Sequence, residues 1–236
     1  MPHSDHREKA APGHGLRPEE ALGPLSELER LNAPARLFLS GNADLLRRRP
    51  KVSIVGSRDA TPEGVRRAAK LAKILVERGV VVVSGLAKGI DTAAHRAAID
   101  TGGSTIAVIG TPLNKVYPRE NTALQREIAE RHLVVSQFPA GRPTKRDDFP
   151  KRNRTMALIV DASVIVEAGD SSGTLSQGWE ALRLNRALFF MDSILKNRPD
   201  LEWPRKMMEY GAQILADAEE LLDAIPYGES AAALSL

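Results

Sequence analysis

From residue 51 onward, short apolar runs alternate with longer stretches whose apolar residues recur at helical spacing. Val52-Ser-Ile-Val55 is the first run. Thr61 then suits a helix cap and Pro62 the first helical position. Val65, Ala68, Ala69, Ala72, Leu75 and Val76 fall on one face of that helix. Gly79 stands where a left-handed residue commonly closes a helix. Four valines follow, Val80 to Val83. A continuous β-branched run predicts a strand covered on both faces, as in a parallel sheet. The same reading predicts a helix from Asp91 to Thr101, ended by Gly102-Gly103, and a strand over Thr105 to Ile109. A helix capped by Asn121 runs through Arg131, then a strand over Leu133 to Val135 and a short helix after Asn153. Val164 to Glu167 is the fifth strand, Gly173 to Asn185 a helix, and Ala187 to Met191 the sixth strand. Six strands alternating with helices predict an α/β fold: a doubly wound, mainly parallel sheet with helices on both faces. Its crossovers are expected to be right-handed.

The flanks read differently. Residues 1–18 form a disordered lead-in, and its His3, His6 and His14 lack compact metal-ligand spacing. Residues 19–50 form a short helix and a connector, and residues 51–199 form the core. Residues 200–236 form an acidic helical tail, with Asp217 and Glu220 as a capping box for its last helix and a fraying alanine-rich end from Ser230.

Composition adds three limits. The chain has no cysteine, so disulfides and cysteine nucleophiles are excluded. No apolar run approaches the roughly 18 residues of a membrane span, and Met1 to Gly15 has no signal-peptide core. A cytoplasmic protein with no membrane partner is expected. The net charge of +3 is uneven: residues 200–236 hold eight acidic and two basic side chains, which leaves +9 on the remainder. Arg142 to Arg154 alone contains six basic and two acidic residues. A basic body suits a polyanion, although scattered surface charge gives the same count.

Several predicted strands end in polar, glycine-bearing turns. These are Gly56-Ser57-Arg58, Ser84-Gly85-Leu86-Ala87-Lys88-Gly89-Ile90-Asp91 and Glu167-Ala168-Gly169-Asp170-Ser171-Ser172-Gly173-Thr174. Ser136 to Gly141 follows another strand and leads into Phe149-Pro-Lys-Arg-Asn-Arg154. In an open parallel sheet such turns share one edge, where ligands bind. Exposed backbone N–H groups and helix N-termini favour an anion there, most simply phosphate. The first turn is neither G-x-G-x-x-G nor G-x-x-x-x-G-K-[ST], which disfavours NAD and Walker-type ATP binding. Asp91 and His95 are four apart on a helix, and Asp91 reads as a turn-fixing group oriented by His95. Glu167 suits either a catalytic carboxylate or a clamp on its own turn. Arg152 and Arg154 suit phosphate pairing, and Phe149 a base contact or a core position.

Taken together, these residues resemble the DprA/Smf family of DNA-processing proteins. The resemblance is carried by Leu37-Phe-Leu-Ser-Gly-Asn-Ala-Asp-Leu-Leu46, Val55-Gly-Ser-Arg58, Ser84 to Asp91 with Ala94-His95, and Gly103-Ser-Thr-Ile-Ala-Val108. Tyr117-Pro118, Asn121, Phe149 to Arg154 and Ser172-Gly-Thr174 complete it. It implies an extended Rossmann-like domain that binds single-stranded DNA, forms a homodimer and helps load RecA in natural transformation. No cofactor, metal or catalytic residue is implied. Arg58, Lys88, Lys151, Arg152, Asn153 and Arg154 would line the strand, Phe149 would meet a base, and Gly56, Ser57, Ser84, Gly85, Gly89, Ser172, Gly173 and Thr174 would shape the floor. Ser136-Gln137 stands where the family usually has Ser-Glu, and Met191-Asp-Ser-Ile-Leu195 replaces a usual Pro-Gly turn. Two other readings share the edge: a nucleotide sensor, and a LOG-like phosphoribohydrolase of nucleoside monophosphates. The latter places glutamates where this chain has Ser176 and Gln177, which disfavours an enzyme.

Overall fold

The valine run Val80 to Val83 lies at the middle of the molecule, with no residue more than 3% exposed. Fully burying one valine contributes roughly 1.5–3 kcal/mol, which favours a central strand over an edge for this run. Val81 and Val83 pack into the cluster on one face of the sheet and Val82 into the cluster on the other. The computed structural model describes residues 15–169 and 173–226. The expected lead-in up to residue 14, Ser172 with the rest of 170–172, and the alanine-rich end lie outside the described residues.

Among the described residues eight strands form one sheet: β1 Phe38–Gly41, β2 Lys51–Gly56, β3 Val81–Ser84, β4 Thr105–Ile109, β5 Leu133–Ser136, β6 Ala162–Glu167, β7 Ala187–Met191 and β8 Gln213–Leu215. Their order is β1-β5-β4-β3-β2-β6-β7-β8. Every pairing is parallel except β1 with β5. The helices are α1 Pro18–Leu22, α2 Glu27–Asn32, α3 Pro62–Glu77, α4 Ile90–Asp100, α5 Thr122–Arg131, α6 Asp148–Ile159, α7 Gly173–Arg183, α8 Asp192–Asn197, α9 Trp203–Glu209 and α10 Ala218–Asp223. Apolar residues of α3, α4 and α10 cover one face, and those of α6, α7 and α9 cover the other. This is the doubly wound α/β architecture. Among the described residues no helix is long and apolar enough to cross a membrane.

Local chemistry explains the element ends. Thr61 accepts a hydrogen bond from Gly64 N and Pro62 opens α3, while Gly79 takes φ +73° beyond its end. Asp217 accepts from Glu219 N at the start of α10, and Glu220 accepts from Ala216 N.

Four expectations are corrected. The connector of residues 19–50 carries β1, which adds an antiparallel edge to the sheet. The tail of residues 200–236 is not only helical: β8 extends the sheet, and Leu201, Met207, Leu215 and Leu221 are core residues. The helix expected after Asn153 starts at Asp148, so the basic segment is largely helical. Val65 is 38% exposed, and Leu71 takes the inward position on α3.

Candidate functional site

Strands β2 to β8 run parallel, so their carboxyl ends share one edge, and the strand order reverses between β2 and β6. Three loops meet there. Ser57 N donates to Glu167 O at 2.7 Å, and Ile90 N donates to Ser57 O at 3.2 Å. Those two bonds tie the turn after β2 to the end of β6 and to the start of α4. Gly89 has φ +73°, and a Cβ on it would lie 2.7 Å from Arg58 O. Only a residue without a side chain lets the β3–α4 turn lie so close on the β2–α3 turn.

The outer surface of this junction carries cations and rings. Arg58 is exposed, with its Cζ 5.7 Å from the centroid of Phe149 in the first turn of α6. The Tyr117 ring, from the loop after β4, lies 5.4 Å from Phe149 at 53°. Lys88 is exposed and forms an ion pair with Glu120. The hydrogen bond to Glu120 raises the Lys88 ammonium and lowers the Glu120 carboxyl. Arg58, Lys88, Phe149, Tyr117 and Glu120 therefore form one patch. Composition and periodicity did not single out Glu120, and Tyr117 carried no role.

Beneath the patch lie two buried charged side chains, Asp91 and Arg152. Asp91 Oδ2 accepts from Gly85 N at 3.1 Å and from Ala87 N at 3.3 Å. Arg152 Nη1 donates to Gly85 O at 2.5 Å and Val108 O at 2.9 Å, and its Nε donates to Asn153 Oδ1 at 2.9 Å. Arg152 is 7% exposed and Asp91 4%. Burial raises the Asp91 carboxyl, and the Arg152 guanidinium opposes that rise. Burial lowers Arg152, and Asp91 opposes that fall. A guanidinium keeps its charge even so. Asp91 holds Gly85 at its N–H and Arg152 at its carbonyl. The Arg152 guanidinium, expected to meet phosphate, is buried and supports the β3–α4 turn from inside.

Asp91 fixes its turn as expected, but His95 does not orient it. His95 Nδ1 is hydrogen-bonded to Thr105 Oγ1 at 2.7 Å, and Thr105 Oγ1 donates to Val82 O at 2.8 Å. Burial pushes the imidazole down to about 3, so it is neutral. Asn121 makes no side-chain cap. Its Nδ2 donates to Leu86 O at 2.9 Å, Ala87 O at 3.2 Å and Thr92 Oγ1 at 2.9 Å, so it too clamps the β3–α4 turn. Glu167 accepts from Thr61 N at 3.0 Å and from Thr61 Oγ1 at 2.6 Å. The carboxylate occupies the N-terminus of α3, the place a dinucleotide's pyrophosphate takes in related sheets.

The other expected residues divide. Gly56, Ser84 and Gly85 are buried as floor, and Ser84 Oγ donates to Ile54 O at 2.6 Å. Asn153 is buried and its Nδ2 donates to Gly173 O at 3.1 Å, joining α6 to α7. Gly173 is exposed and Thr174 buried in the first turn of α7. Lys151 is exposed and pairs with Asp147 at 2.7 Å. Arg154 reaches Glu180 of α7 through Nε at 3.1 Å and Nη2 at 3.2 Å. Arg142 binds Asp148 through two bonds of 2.7 Å and covers the Phe138 ring at 4.6 Å. Four of the six cations in Arg142 to Arg154 are thus paired or buried, so that segment presents less open charge than its composition implies. Among the described residues no group of three His, Asp or Glu is placed to hold a metal ion.

Residues 20–226 match the family model for DNA recombination-mediator protein A. The chain is 41% identical over 201 residues to DNA processing protein DprA of Streptococcus pneumoniae, covering 83% of this chain and 70% of that protein. The X-ray structure of that DprA aligns with a TM-score of 0.76 at 33% identity, covering 91% of this chain and 75% of that one. The Helicobacter pylori DNA processing protein A, solved to describe its single-stranded DNA binding mode, aligns with a TM-score of 0.73 at 27% identity. That alignment covers 85% of this chain and 92% of that one. Across its curated relatives the chain spans from 49% to 70% of their length.

Proposed function

Because the chain belongs to the DprA/Smf family of DNA recombination-mediator proteins, we propose that its carboxyl sheet edge binds single-stranded DNA in the cytoplasm. In this reading the bound strand is incoming DNA in recombination and natural transformation, and RecA and a second copy of the chain are the partners. The observation that carries it is the patch of Arg58, Lys88, Phe149 and Tyr117, where exposed cations sit beside aromatic rings. Cations neutralise phosphates without regard to sequence, and rings accept unpaired bases of any kind. A duplex hides those base faces. Gly56, Ser57, Ser84, Gly85 and Gly89 form the floor under the patch, and Lys151 extends it along α6. Arg152, Asn153 and Arg154 act from behind, by holding turns and helices.

Binding is favoured over hydrolysis. Gln177 stands where LOG-like enzymes carry a glutamate, and here it is buried with its Nε2 donating to Ser163 Oγ at 3.2 Å. It faces the sheet and carries no carboxylate to activate water.

The test is fluorescence anisotropy with a labelled oligo-dT and a duplex of equal length, across a salt series. Tighter binding of the single strand is expected, with affinity falling as salt rises by about 0.7 in log–log slope for each phosphate contacted. Arg58→Ala removes one such increment. Equal affinity for both nucleic acids would sink the proposal.

A further inference from the structure

Phe149 was the ring expected to meet a base, yet most of its surroundings are already filled. A Cβ on Gly110 would lie 2.7 Å from Phe149 Cδ1 and 3.0 Å from Cε1, so the ring rests on the Gly110 backbone. The Arg58 guanidinium covers it at 5.7 Å and the Tyr117 ring flanks it at 5.4 Å. Phe149 is half-buried, whereas Tyr117 is 49% exposed. From these contacts we propose that Tyr117 is the surface on which an unpaired base stacks, with Phe149 as the wall behind it. This inference rests on the single-strand reading above.

The loop that carries Tyr117 is fixed although the ring is open. Thr111 Oγ1 and Gln125 Nε2 both donate to Lys115 O at 3.2 Å, and Ser136 Oγ donates to Thr111 O at 2.7 Å. On the other side, Pro118 is buried and Asn121 is held by its three bonds to the β3–α4 turn and Thr92. A large ring exposed on a backbone fixed at both ends loses little entropy when a partner covers it. Its neighbours define that partner. Lys88 pairs with Glu120, three residues on from Tyr117, and Arg58 lies over the Phe149 ring. Cations near an open ring match a nucleotide whose base lies on the ring and whose phosphates meet the cations.

The experiment compares an oligo-dT with the same backbone carrying abasic residues, against the parent, Tyr117→Phe and Tyr117→Leu. Tyr117→Phe keeps parental affinity. Tyr117→Leu binds the base-bearing strand about 5- to 150-fold more weakly, the usual value of one base–ring stack. Its salt slope is unchanged, and it binds the abasic strand as the parent does. Equal weakening on both strands, or no weakening, overturns the assignment. Photocrosslinking of the unsubstituted chain with a 5-iodouracil strand covers the case in which the leucine variant folds poorly: an adduct on Tyr117 supports the proposal, and adducts on Phe149 alone overturn it. A parent with no preference for single strands would instead mark a failure of the single-strand reading itself.

Discussion

Replacing Arg152 by methionine should unfold the protein more readily rather than merely weaken its grip on DNA. The substitution keeps most of the side-chain length but removes the guanidinium. Gly85 O and Val108 O lose their donor, and Asp91 is left buried beside Gly85 N and Ala87 N without its counter-charge. Leaving a buried charge uncompensated, as when one member of a buried ion pair is removed, costs about 3–5 kcal/mol, and the carbonyls that lose their donor act in the same direction. For a chain of this length, 1 kcal/mol moves Tm by about 2–4 °C, so the expected fall is about 6–20 °C. Asp91→Asn combined with Arg152→Met removes both charges, and its Tm should recover part of that loss. Arg58→Met, a change on the exposed surface, should stay within about 0.5 kcal/mol of the parent, or about 1–2 °C. The assay is thermal unfolding followed by circular dichroism, with anisotropy measured at a temperature where every variant is folded. If Arg152→Met melted within about 2 °C of the parent and lost a phosphate's worth of salt slope, Arg152 would be a direct DNA ligand, and the supporting role derived for it would be wrong.

Glu120→Gln removes the carboxylate that pairs with Lys88. Tighter single-strand binding is expected, with a salt slope steeper by about 0.7, and the gain should vanish in a Lys88→Ala background; an unchanged isotherm would show that the ion pair does not compete with DNA. His95 governs an acid response. Its folded value lies near 3, below the 6.5 of the unfolded chain, so the unfolded state takes up the proton first. Stability from this group is complete above pH 6.5 and falls below it by up to about 1.4 kcal/mol per pH unit. The raised Asp91 carboxyl works in the opposite direction above 3.8, so the reading is the difference between parent and His95→Gln in urea titrations at pH 7, 6 and 5. Between pH 7 and 5 the variant should lose less stability than the parent, and equal slopes would remove His95 from the account.

How far the sequence showed this arrangement differs from element to element. Val80 to Val83 announced a central parallel strand because β-branched residues covered on both faces have no alternation to lose. Thr61 with Pro62 and Gly79 marked the ends of α3 through side-chain and backbone geometry that is local. Strands β1 and β8 were missed for the opposite reason. They span four and three residues, and neither pattern alternates cleanly. Each becomes a strand only by pairing with β5 or β7, distant in sequence. Arg152 reads as a surface cation only if the helix is taken to begin after Asn153. Counted from Asp148, residues 148, 152, 155, 156 and 159 fall on one helical face, and all are buried. That phase turns Arg152 inward although its neighbours in the chain are basic. Tyr117 and Glu120 had no such signal, since their roles depend on Phe149 and Lys88 arriving from other loops.

The central claim is that single-stranded DNA lies across the turns at the carboxyl ends of β2, β3 and β4. Hydrogen exchange of the chain with and without saturating oligo-dT tests it most directly. Protection is predicted at residues 57–61, 85–89 and 112–120 and in the first turn of α6, with little change elsewhere. The opposite edge of the sheet offers a contrast, a cavity of about 540 Å³ lined by Arg49, Asp161, Arg186 and Tyr210. Protection centred there, with the turns after β2, β3 and β4 exchanging as in the free protein, would contradict the account.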